Sequence, residues 1–504
     1  MKSSARSFLF ALVALSIVAL AVRLVAAGTL GFGDSEALYA SYALHPQPAY
    51  LDHPGLIGVL ARALGGGSSP TPAAAHVFTA IVATLVPWVL LLAARLTGGS
   101  WRGSLAAALG VALVPEVAIG LFAMTPDLLL FCGWVGALGA AAAALRSKPS
   151  STRAVSFFLL SGVLVGASST AKLSALTLLV ALTATYASKV ARDHGRTAWP
   201  WLSLLVSMVP LLPVARYEER LGWPMLQHRL IETQSEAGLS LRNAGALVGG
   251  QALYLSPLFA IAAFLLARDL WQRRREDSTA VLLASATFIP LAFLSALCLW
   301  SRVAEPHWIA PALLALPLHY ARSPASSSAL AGTRLSDRFW SACLRSALGI
   351  TGVVHVLVMT PIAAWAMRGA YDPRLDISNE LYGWSNVVAG VERIAADEKM
   401  PGAEDIEVVG PHWVICAQLH AALRDRLPVG CAEARRDDFD DWNPRARWET
   451  ADTLLFVSDN RYSPDLGELF PLHAMIRQTQ IPIVRGGRIT RLFTVSVLER
   501  RAPA

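Results

Sequence analysis

The chain has 504 residues, of which 54% are hydrophobic and only 16% are charged, and its formal net charge is +7. This composition excludes an ordinary soluble globular domain, in which about 25% of the residues are charged. It also argues against a soluble nucleic-acid binder, because the arginines lie between apolar segments rather than in one basic patch on a polar fold.

The first apolar run, 8–27, follows Lys2 and Arg6 and is interrupted by Arg23. A cleaved signal peptide and a retained membrane helix both fit a basic start followed by an apolar run. The run is long for the core of a signal peptide. We therefore predict a retained membrane helix.

Apolar runs long enough to cross a bilayer as a helix recur through the first three quarters of the chain. The pattern predicts an α-helical polytopic membrane protein with about eleven transmembrane helices, at roughly 8–28, 74–95, 103–122, 127–146, 154–169, 172–189, 199–215, 244–267, 279–300, 306–321 and 345–367. Residues 1–370 are predicted to form the membrane domain, with a first external loop at about 29–73. Residues 371–504 have the composition of a soluble domain.

Basic residues are concentrated in alternate connecting segments. This pattern predicts which side of the membrane each loop faces. The basic members are Lys2, Arg6, Arg95, Arg102, Arg146, Lys148, Arg153, Lys189, Arg192, Arg196, Arg268, Arg273, Arg274, Arg275, Arg322, Arg334, Arg338 and Arg345. Cytoplasmic loops carry such an excess of Lys and Arg. We therefore predict a multi-pass protein of the inner (plasma) membrane, with a cytoplasmic N-terminus and a periplasmic C-terminal domain.

The stretch GDSEALYASYALHPQPAYLDHPG, residues 33–55, is the most informative part of the first external loop. It holds Asp34, Glu36, Asp52 and His53 directly beside a membrane span. Charged groups next to a bilayer are costly and are usually kept for function. The same face is predicted to receive Lys172, the segments 125–127, 216–242 and 301–308, and the C-terminal domain. This convergence of acids and cations suggests a site for an anionic, lipid-linked substrate.

Several of these segments resemble glycosyltransferase family 39, which includes protein mannosyltransferases and bacterial aminoarabinose transferases acting on lipid A. The matching segments, in chain order, are 33–39, 50–54, Thr125-Pro126-Asp127, 171–174, Trp223 with Gln227-His228-Arg229, 250–257 and 302–308. They cover roughly residues 30–315. The resemblance implies a GT-C fold and inverting transfer of a sugar from a polyprenyl-phosphate carrier on the periplasmic side.

One position departs from the family pattern. In the family the catalytic aspartate usually adjoins the glutamate, whereas Ser35 separates Asp34 from Glu36 here. A gapless match anchored on Glu36 and Asp52 puts Ser35 where that aspartate would be. Asp34 reaches the same place through a bulge, or Glu36 takes over, or the activity is altered. We favour Asp34.

The predicted chemistry gives each candidate a role. Asp34 is the predicted base that removes the proton from the acceptor, because a carboxylate in a partly desolvated loop has a raised pKa. Asp52 orients the acceptor or holds a basic partner, and Glu36 completes the catalytic set. The phosphate leaving group needs cations and hydrogen-bond donors. The predicted substrate-binding residues are His53, Lys172, Arg229, Arg302, Glu305 and His307.

Each candidate also has a purely structural interpretation. Asp34 and Glu36 also suit the start of a helix, where acids are favoured. Asp52 and His53 also fit a turn with a packed histidine. The Lys172 side chain can extend along the helix to place its ammonium group at the membrane interface. Arg302 and Glu305 can form a structural ion pair. These alternatives stay open at this point.

No cofactor and no metal are predicted, because the sequence has no Cys-x-x-Cys pair and no Gly-rich phosphate loop. A disulfide between Cys416 and Cys431 is chemically permitted outside the cytoplasm. Segments 406–410 and 453–458 predict buried strands of a small α/β domain, with a helix at 417–425. The acids at 437–441 are predicted to form a solvated loop, and no catalytic role is assigned to this domain.

Three classes of function compete. The preferred one is a glycosyltransferase (EC 2.4 class) that uses a polyprenyl-phosphate sugar as donor. Its acceptor is lipid A, as in lipopolysaccharide modification, another glycolipid, or a protein. A transporter or flippase for polyprenyl-linked glycans would show paired half-repeats, and none is evident. A non-catalytic membrane scaffold leaves the polar residues at the outer face unexplained.

Overall fold

The computed structural model describes residues 3–234, 237–301, 303–322, 337–398, 406–462 and 464–501. Arg302, one of the predicted substrate-binding residues, lies outside these ranges. Helices dominate the chain up to residue 398, and a small sheet follows. The predicted fold class, a helical membrane protein with a C-terminal α/β domain, is therefore confirmed.

The helices of the membrane region follow the apolar runs. They are α1 Ser3–Ala27, α2 Asp34–Ser41, α3 Leu56–Leu64, α4 Pro72–Leu96, α5 Trp101–Leu113, α6 Pro115–Ala118, α7 Pro126–Leu145, α8 Thr152–Ala171, α9 Leu176–Tyr186, α10 Arg192–Gly195, α11 Trp199–Met208, α12 Leu212–Leu221, α13 Pro224–Leu230, α14 Leu241–Tyr254, α15 Pro257–Arg273, α16 Ser278–Trp300, α17 Ala310–Leu313, α18 Ala315–Arg322, α19 Asp337–Met359 and α20 Ile362–Met367. Short 3₁₀ turns connect several of them.

The number of membrane crossings is lower by strict criteria than the predicted eleven. Within the described residues, seven helices are long and apolar enough to cross a membrane, or nine if each of two bent helix pairs counts as one crossing. The predicted spans 172–189 and 306–321 correspond to the shorter helix α9 and to the segmented helices α17 and α18. The exact count therefore stays a prediction.

Two predicted spans, 103–122 and 244–267, are broken rather than continuous. The first bends by 70° where α5 gives way to α6, and the second bends by 105° between α14 and α15. Pro115 and Pro257 start the second helix of each pair, since proline has no N–H to continue the preceding helix. Ser256, with φ at 76°, turns the chain at the second break.

Arg23 supports the first bend, which explains a buried arginine in an apolar helix. Its guanidinium donates to the carbonyl oxygens of Val117 at 2.9 Å and Ala118 at 3.0 Å, and to Thr84 Oγ1 at 2.8 Å. Backbone carbonyls freed by a helix break cannot be left unpaired away from water. Arg23 satisfies them from the neighbouring helix.

The C-terminal domain is a five-stranded sheet with helices on it. Its helices are α21 Trp384–Glu398, α22 Trp413–Leu423, α23 Phe439–Trp442, α24 Arg445–Trp448 and α25 Leu466–Leu469, and its strands are β1 Ile406–Gly410, β2 Val429–Cys431, β3 Thr453–Asp459, β4 His473–Arg485 and β5 Arg488–Arg500. The strand order is β2-β1-β3-β5-β4. Strands β2, β1 and β3 are parallel, and β5 and β4 pair antiparallel.

This domain packs directly on the first external loop. One buried apolar cluster includes Phe32, Tyr42 and Ile57 from the loop together with Ile415 and Phe493 from the domain. A shared core of this kind fixes the two parts relative to each other. It creates a closed space beneath the domain at the ends of the membrane helices.

Candidate active site

The loop that carries the predicted catalytic acids forms a short capped helix. Gly33 is the N-cap residue of α2, and its backbone N–H donates to Glu36 Oε2 at 2.9 Å. Asp34 and Glu36 lie in the first turn, where negative charge is favourable. This part of the structural interpretation of the two acids is therefore correct.

Glu36 is buried and fully engaged. Besides the cap, its Oε1 accepts from the backbone N–H of Met124 at 2.6 Å and lies 2.9 Å from Nε2 of His76. These contacts tie the loop to α4 and to the segment before α7. Glu36 does not belong to the lining of the candidate cavity described below. Its contacts are those of a residue that holds the loop in place.

Asp34 points toward the C-terminal domain. Its carboxylate lies 3.9 Å from Arg461, and Arg461 also pairs with Glu380 at 2.8 Å and Asp459 at 2.9 Å. Burial, followed by the charge of Glu380, raises the pKa of Asp34 to about 7. A proton can therefore leave or join Asp34 near neutral pH, but this carboxylate is not in the cavity lining.

Ser35 lines the cavity in its place. In α2, consecutive side chains point about 100° apart, so a helix that turns Asp34 to the C-terminal domain turns Ser35 elsewhere. The bulge that would bring Asp34 to the family position is absent from this regular helix. This is the point at which the geometry departs from the favoured prediction.

A cavity of about 300 Å³ lies between the membrane helices and the C-terminal domain. Residues from the first loop, from the membrane helices and from the domain line it. The charged and histidine members are Asp52, His53, Asp127, Lys172, His228, Arg229, Glu305, His307, Glu433, Arg435, Arg436, Asp437 and Asp438. Of the predicted site residues in the described chain, Asp52, His53, Lys172, Arg229, Glu305 and His307 meet here.

Lys172 and Asp127 form a close ion pair at the floor of the cavity. Lys172 Nζ donates to both carboxylate oxygens of Asp127, at 2.8 and 2.9 Å, and both side chains are largely buried. Lys172 follows the last residue of α8 and Asp127 lies in the first turn of α7. The pairing explains how a lysine is tolerated beside apolar helices.

His307 links this pair to Glu305. Its Nε2 lies 3.8 Å from Asp127 and its Nδ1 lies 3.1 Å from Glu305. Trp308 follows, and its ring lies 5.7 Å from Lys172 Nζ and 5.9 Å from the Arg229 guanidinium carbon. Both distances are within the range of a cation–π contact, which favours the presence of these two cations beside the ring.

Asp52 and Arg229 form the second pair of the cavity. Arg229 Nη2 lies 3.2 Å from Asp52 Oδ1, and its Nε donates to the backbone carbonyl of Asp52 at 3.2 Å. His228 Nε2 is 3.8 Å from the same carboxylate oxygen. The side chain of Asp52 is 31% exposed, so this carboxylate remains open to the cavity.

His53 is buried next to these cations. Its ring packs edge-on against Tyr39, with the ring centres 5.5 Å apart. Burial, followed by the charges of Arg229, Lys172 and His307, lowers the pKa of His53 well below its usual range. His53 is therefore a neutral imidazole at physiological pH, which can donate one hydrogen bond and accept another.

The C-terminal domain supplies part of the cavity wall, and the prediction of a solvated acidic loop is wrong for Asp437 and Asp438, although Asp441 is exposed. Asp438 is buried, accepts from the Leu51 backbone N–H at 3.0 Å and lies 3.3 Å from the Tyr42 hydroxyl. Burial raises the pKa of Asp438 to about 8 and that of Asp437 to about 7. The aromatic residue that directly follows these two acids, Phe439, was the signal that this segment turns inward.

An apolar groove of about 460 Å³ runs from the cavity along the membrane helices. Its charged end is formed by Asp52, His53, Lys172 and Arg229, with Trp308 beside them. Its apolar length is lined by Leu173, Leu176, Val180, Leu226, Leu230, Ile289, Phe293, Leu294 and Leu297. The groove combines a hydrocarbon-like channel with a cationic end, which suits a lipid with an anionic head.

In the described residues, one group of side chains has the spacing of metal ligands. The potential ligand atoms of Cys431, Glu433 and Asp437 lie within 4.8 Å of one another. Cys416 and Cys431 are both free thiols in the structure. Zn²⁺ accepts both thiolate and carboxylate ligands, but the spacing of three side chains does not by itself identify a metal, and we assign none to this group.

The fold is that of a polytopic membrane protein of the GT-C type, similar in architecture to the glycosyltransferase ArnT. A family model described as dolichyl-phosphate-mannose-protein mannosyltransferase matches residues 63–217. No curated protein matches the sequence.

Solved structures agree with this fold over nearly the whole chain. ArnT from Cupriavidus metallidurans in the apo state superposes with a TM-score of 0.62 at 16% identity, covering 98% of each chain. The same protein bound to undecaprenyl phosphate gives a TM-score of 0.60 at 16% identity, covering 97% of each chain. The mycobacterial arabinofuranosyltransferase AftD gives a TM-score of 0.53 at 15% identity, covering 98% of this chain and 40% of that one.

Proposed function

We propose that the protein is a glycosyltransferase that moves a sugar from a polyprenyl-phosphate carrier to an acceptor by a single inverting displacement. The observation that carries the proposal is the continuous apolar groove that ends at Lys172 and Arg229. A polyprenyl chain fills such a groove, and its phosphate meets the two cations. The fold shared with ArnT, one structure of which contains undecaprenyl phosphate, supports the proposal.

The two cations serve the leaving group. When the bond between the sugar C1 and the phosphate oxygen breaks, its electron pair goes to that oxygen and negative charge grows there. Lys172 offers an ammonium charge, and Arg229 offers a planar guanidinium that can grip two oxygens. Because Asp127 and Asp52 hold these side chains in place, little reorganisation is needed as the charge develops.

Asp52 is the carboxylate that we assign to the acceptor. As the acceptor O–H or N–H attacks C1, its proton moves to Asp52 and a new bond to C1 forms on the opposite face of the sugar. Asp52 lines both the cavity and the charged end of the groove, and it remains partly open. Asp34 and Glu36, the other two predicted catalytic acids, act in this proposal by positioning the loop.

The sidedness of the reaction is also a proposal. Most of the basic residues of the connecting segments lie on one face of the predicted topology, which the charge rule makes cytoplasmic. The protein then lies in the inner membrane, and its cavity and C-terminal domain face the periplasm. The acceptor is lipid A, another glycolipid or a protein at that face.

The test begins with donor binding. Purified protein in lipid nanodiscs is titrated with undecaprenyl phosphate, and the bound lipid is counted by native mass spectrometry. Loss of one phosphate contact in Arg229→Ala should weaken binding about tenfold or more. Arg216→Ala, which removes an exposed arginine outside the groove, is the matched control.

Transfer is then read with a panel of undecaprenyl-phosphate sugars and envelope extracts as acceptors. A new glycosidic bond, found by mass spectrometry, supports a transferase. Movement of the lipid across a vesicle bilayer without a new bond would make the protein a flippase instead. Equal binding by the wild type and Arg229→Ala would remove the groove as the donor site.

A further inference from the structure

The hairpin that joins β4 to β5 in the C-terminal domain has an apolar tip. Val484 and Ile489 are opposite each other in the register and are 61% and 57% exposed. Gly486 and Gly487 form the turn between them, with φ at 61° and 78°, the left-handed conformation that a tight hairpin turn requires. Residues that are paired across two strands lie on the same face of the sheet. The two side chains therefore form one exposed apolar pair.

Arg485 fixes this tip to the C-terminal end of the membrane helix α19. Its Nη2 donates to the carbonyl oxygens of Val358 at 2.7 Å and Thr360 at 2.9 Å, and its Nη1 donates to Ser378 Oγ at 2.6 Å. The last carbonyl groups of a helix have no partner within the helix, and Arg485 supplies one here. Because Arg485 is itself buried, the tip has a fixed place at the end of α19.

The end of α19 lies at the boundary of the hydrocarbon layer. The helix has 23 residues, is apolar enough to cross a membrane, and has only 17% of its most apolar window buried inside the protein. At 1.5 Å per residue such a helix is about 34 Å long, slightly more than the hydrocarbon core of about 30 Å. Val353 and Val356, which are exposed on α19, then contact lipid. The hairpin tip that is bonded to the end of this helix lies at the level of the lipid headgroups.

The segment that follows α19 adds more apolar surface at the same place. Four of its large apolar side chains are between 52% and 81% exposed. A Cβ at Gly486 would lie 3.1 Å from Nε1 of Trp365, so the hairpin turn rests against α20. Ile377 directly precedes Ser378, which Arg485 contacts. We define the interfacial patch as the six exposed residues Trp365, Met367, Leu375, Ile377, Val484 and Ile489.

Its location distinguishes this patch from the other apolar surface of the domain. In the described part of the C-terminal domain, the other exposed large apolar side chains are Leu472, Met475 and Ile476, near the opposite end of β4. At about 3.3 Å per residue, Ile476 is about 26 Å from Val484 along the strand. Exposed apolar residues of three chain segments meet only at the end of β4 that is bonded to α19.

We propose that the interfacial patch inserts into the headgroup layer of the bilayer, in the leaflet on the side of the C-terminal domain. An interfacial segment buries its apolar face about 5–10 Å into the boundary between headgroups and acyl chains and keeps cations beside it. Arg368 directly follows Met367, and Arg488 directly precedes Ile489. Tryptophan is also concentrated at this depth. The patch continues the lipid-facing surface of α19, which favours the bilayer over a protein as its partner.

This contact is separate from the proposed sugar transfer. None of the six residues belongs to the lining of the cavity or of the apolar groove. The domain that forms one wall of the cavity is thus held to the membrane at a second place, outside the site.

Fluorescence quenching tests the insertion in the full-length protein in phosphatidylcholine vesicles. A fluorophore is attached to Val484→Cys and quenched either by a lipid with a nitroxide near the headgroup end of its acyl chain or by acrylamide in the water. Val356→Cys on α19 is the reference for lipid contact. Ile476→Cys, an equally apolar exposed position on the same strand, is the matched control. The five native cysteines are buried or half-buried, and the labelled wild type gives their background.

The lipid nitroxide should quench the label at Val484→Cys about threefold more than the label at Ile476→Cys, because an interfacial segment lies within reach of the upper acyl chain. Acrylamide should show the opposite order. Ile489→Cys places the label on the opposite strand and should give the same result. It decides the test if the label at Val484→Cys lowers the midpoint of thermal unfolding.

Two results would overturn the proposal. Quenching by acrylamide that is as strong at Val484→Cys as at Ile476→Cys, without quenching by the lipid, would place the tip in water. Protection from both quenchers would show that a protein, such as a second copy of this chain, covers the patch. Neither result would bear on the donor groove, whose test is the binding of undecaprenyl phosphate.

Discussion

At the scale of single residues, the cavity contains pairs of opposite charges that differ in how far they are buried. Lys172 and Asp127 are both largely buried and bonded to each other twice, whereas Asp52 is partly open beside Arg229. Asp34 and Glu36 are held by contacts away from the cavity. The chemistry of the proposed reaction therefore depends on which acid remains free to accept a proton.

We expect Asp52→Asn to lower sugar transfer by about 10²- to 10⁴-fold, the range for loss of a positioned base. Asp34→Asn should have a much smaller effect, because Asp34 faces Arg461 rather than the cavity. Single-turnover transfer from the donor that the wild type accepts is the measurement, with the midpoint of thermal unfolding as the control for folding. A larger loss in Asp34→Asn than in Asp52→Asn would return the role of base to Asp34.

Lys172→Met should weaken donor binding and destabilise the protein, because it leaves the Asp127 carboxylate buried and unpaired. Breaking one side of a buried pair costs about 3–5 kcal/mol. The double variant Lys172→Met with Asp127→Asn removes both charges and should recover most of the thermal stability without recovering donor affinity. If donor affinity also returned, Lys172 would act only as the structural partner of Asp127.

At the scale of helices and strands, hydropathy predicted most membrane segments, the two parallel strands 406–410 and 453–458, and the loop that forms one wall of the site. It did not predict the breaks at Val114 and Ser256, because a broken helix has the same average hydropathy as a straight one. The orientation of the Asp34 side chain, away from the cavity, was also not predictable from local sequence. It depends on Arg461, which is more than 400 residues away in the chain.

The bend between α5 and α6 makes Arg23 a structural residue, and its removal should have a measurable cost. Arg23→Met keeps the length of the side chain but leaves the carbonyl oxygens of Val117 and Ala118 without their donor. Each unsatisfied buried carbonyl costs about 1–3 kcal/mol. The midpoint of thermal unfolding in detergent should fall, whereas Arg6→Met, near the start of the same helix, should have little effect. An unchanged midpoint for Arg23→Met would mean that another group satisfies the bend.

At the scale of the whole molecule, the C-terminal domain closes the cavity rather than standing apart from it. The sequence predicted the domain and its α/β class, but its role in the site was not readable. Asp437 and Asp438 look like a charged surface loop until Leu51, Tyr42 and the first loop are placed against them. Burial across two distant parts of one chain is a tertiary property that local sequence patterns do not carry.

This closure should depend on pH through Asp438. Burial raises the pKa of Asp438 to about 8 in the folded protein, whereas a solvated aspartate titrates near pH 4. Between these values the folded state binds the extra proton, so stability is highest at low pH and declines as pH rises toward 8, by at most about 1.4 kcal/mol per pH unit. Above that range the contribution is lost. Asp52 and Asp437 also repel the charged form of Asp438, so both work in the same direction.

Hydrogen exchange of the first loop between pH 5 and pH 9 measures this effect, after correction for the intrinsic exchange rate. The Leu51 N–H, which donates to Asp438, should lose protection as pH rises in the wild type. Asp438→Asn keeps an acceptor for Leu51 and cannot ionise, so its protection should stay nearly constant across the range. Asp440→Asn, which alters a partly exposed acid of the same segment, should behave like the wild type. A wild-type pH dependence that survives in Asp438→Asn would assign the closure to another titrating group, with Asp437→Asn as the next variant to test.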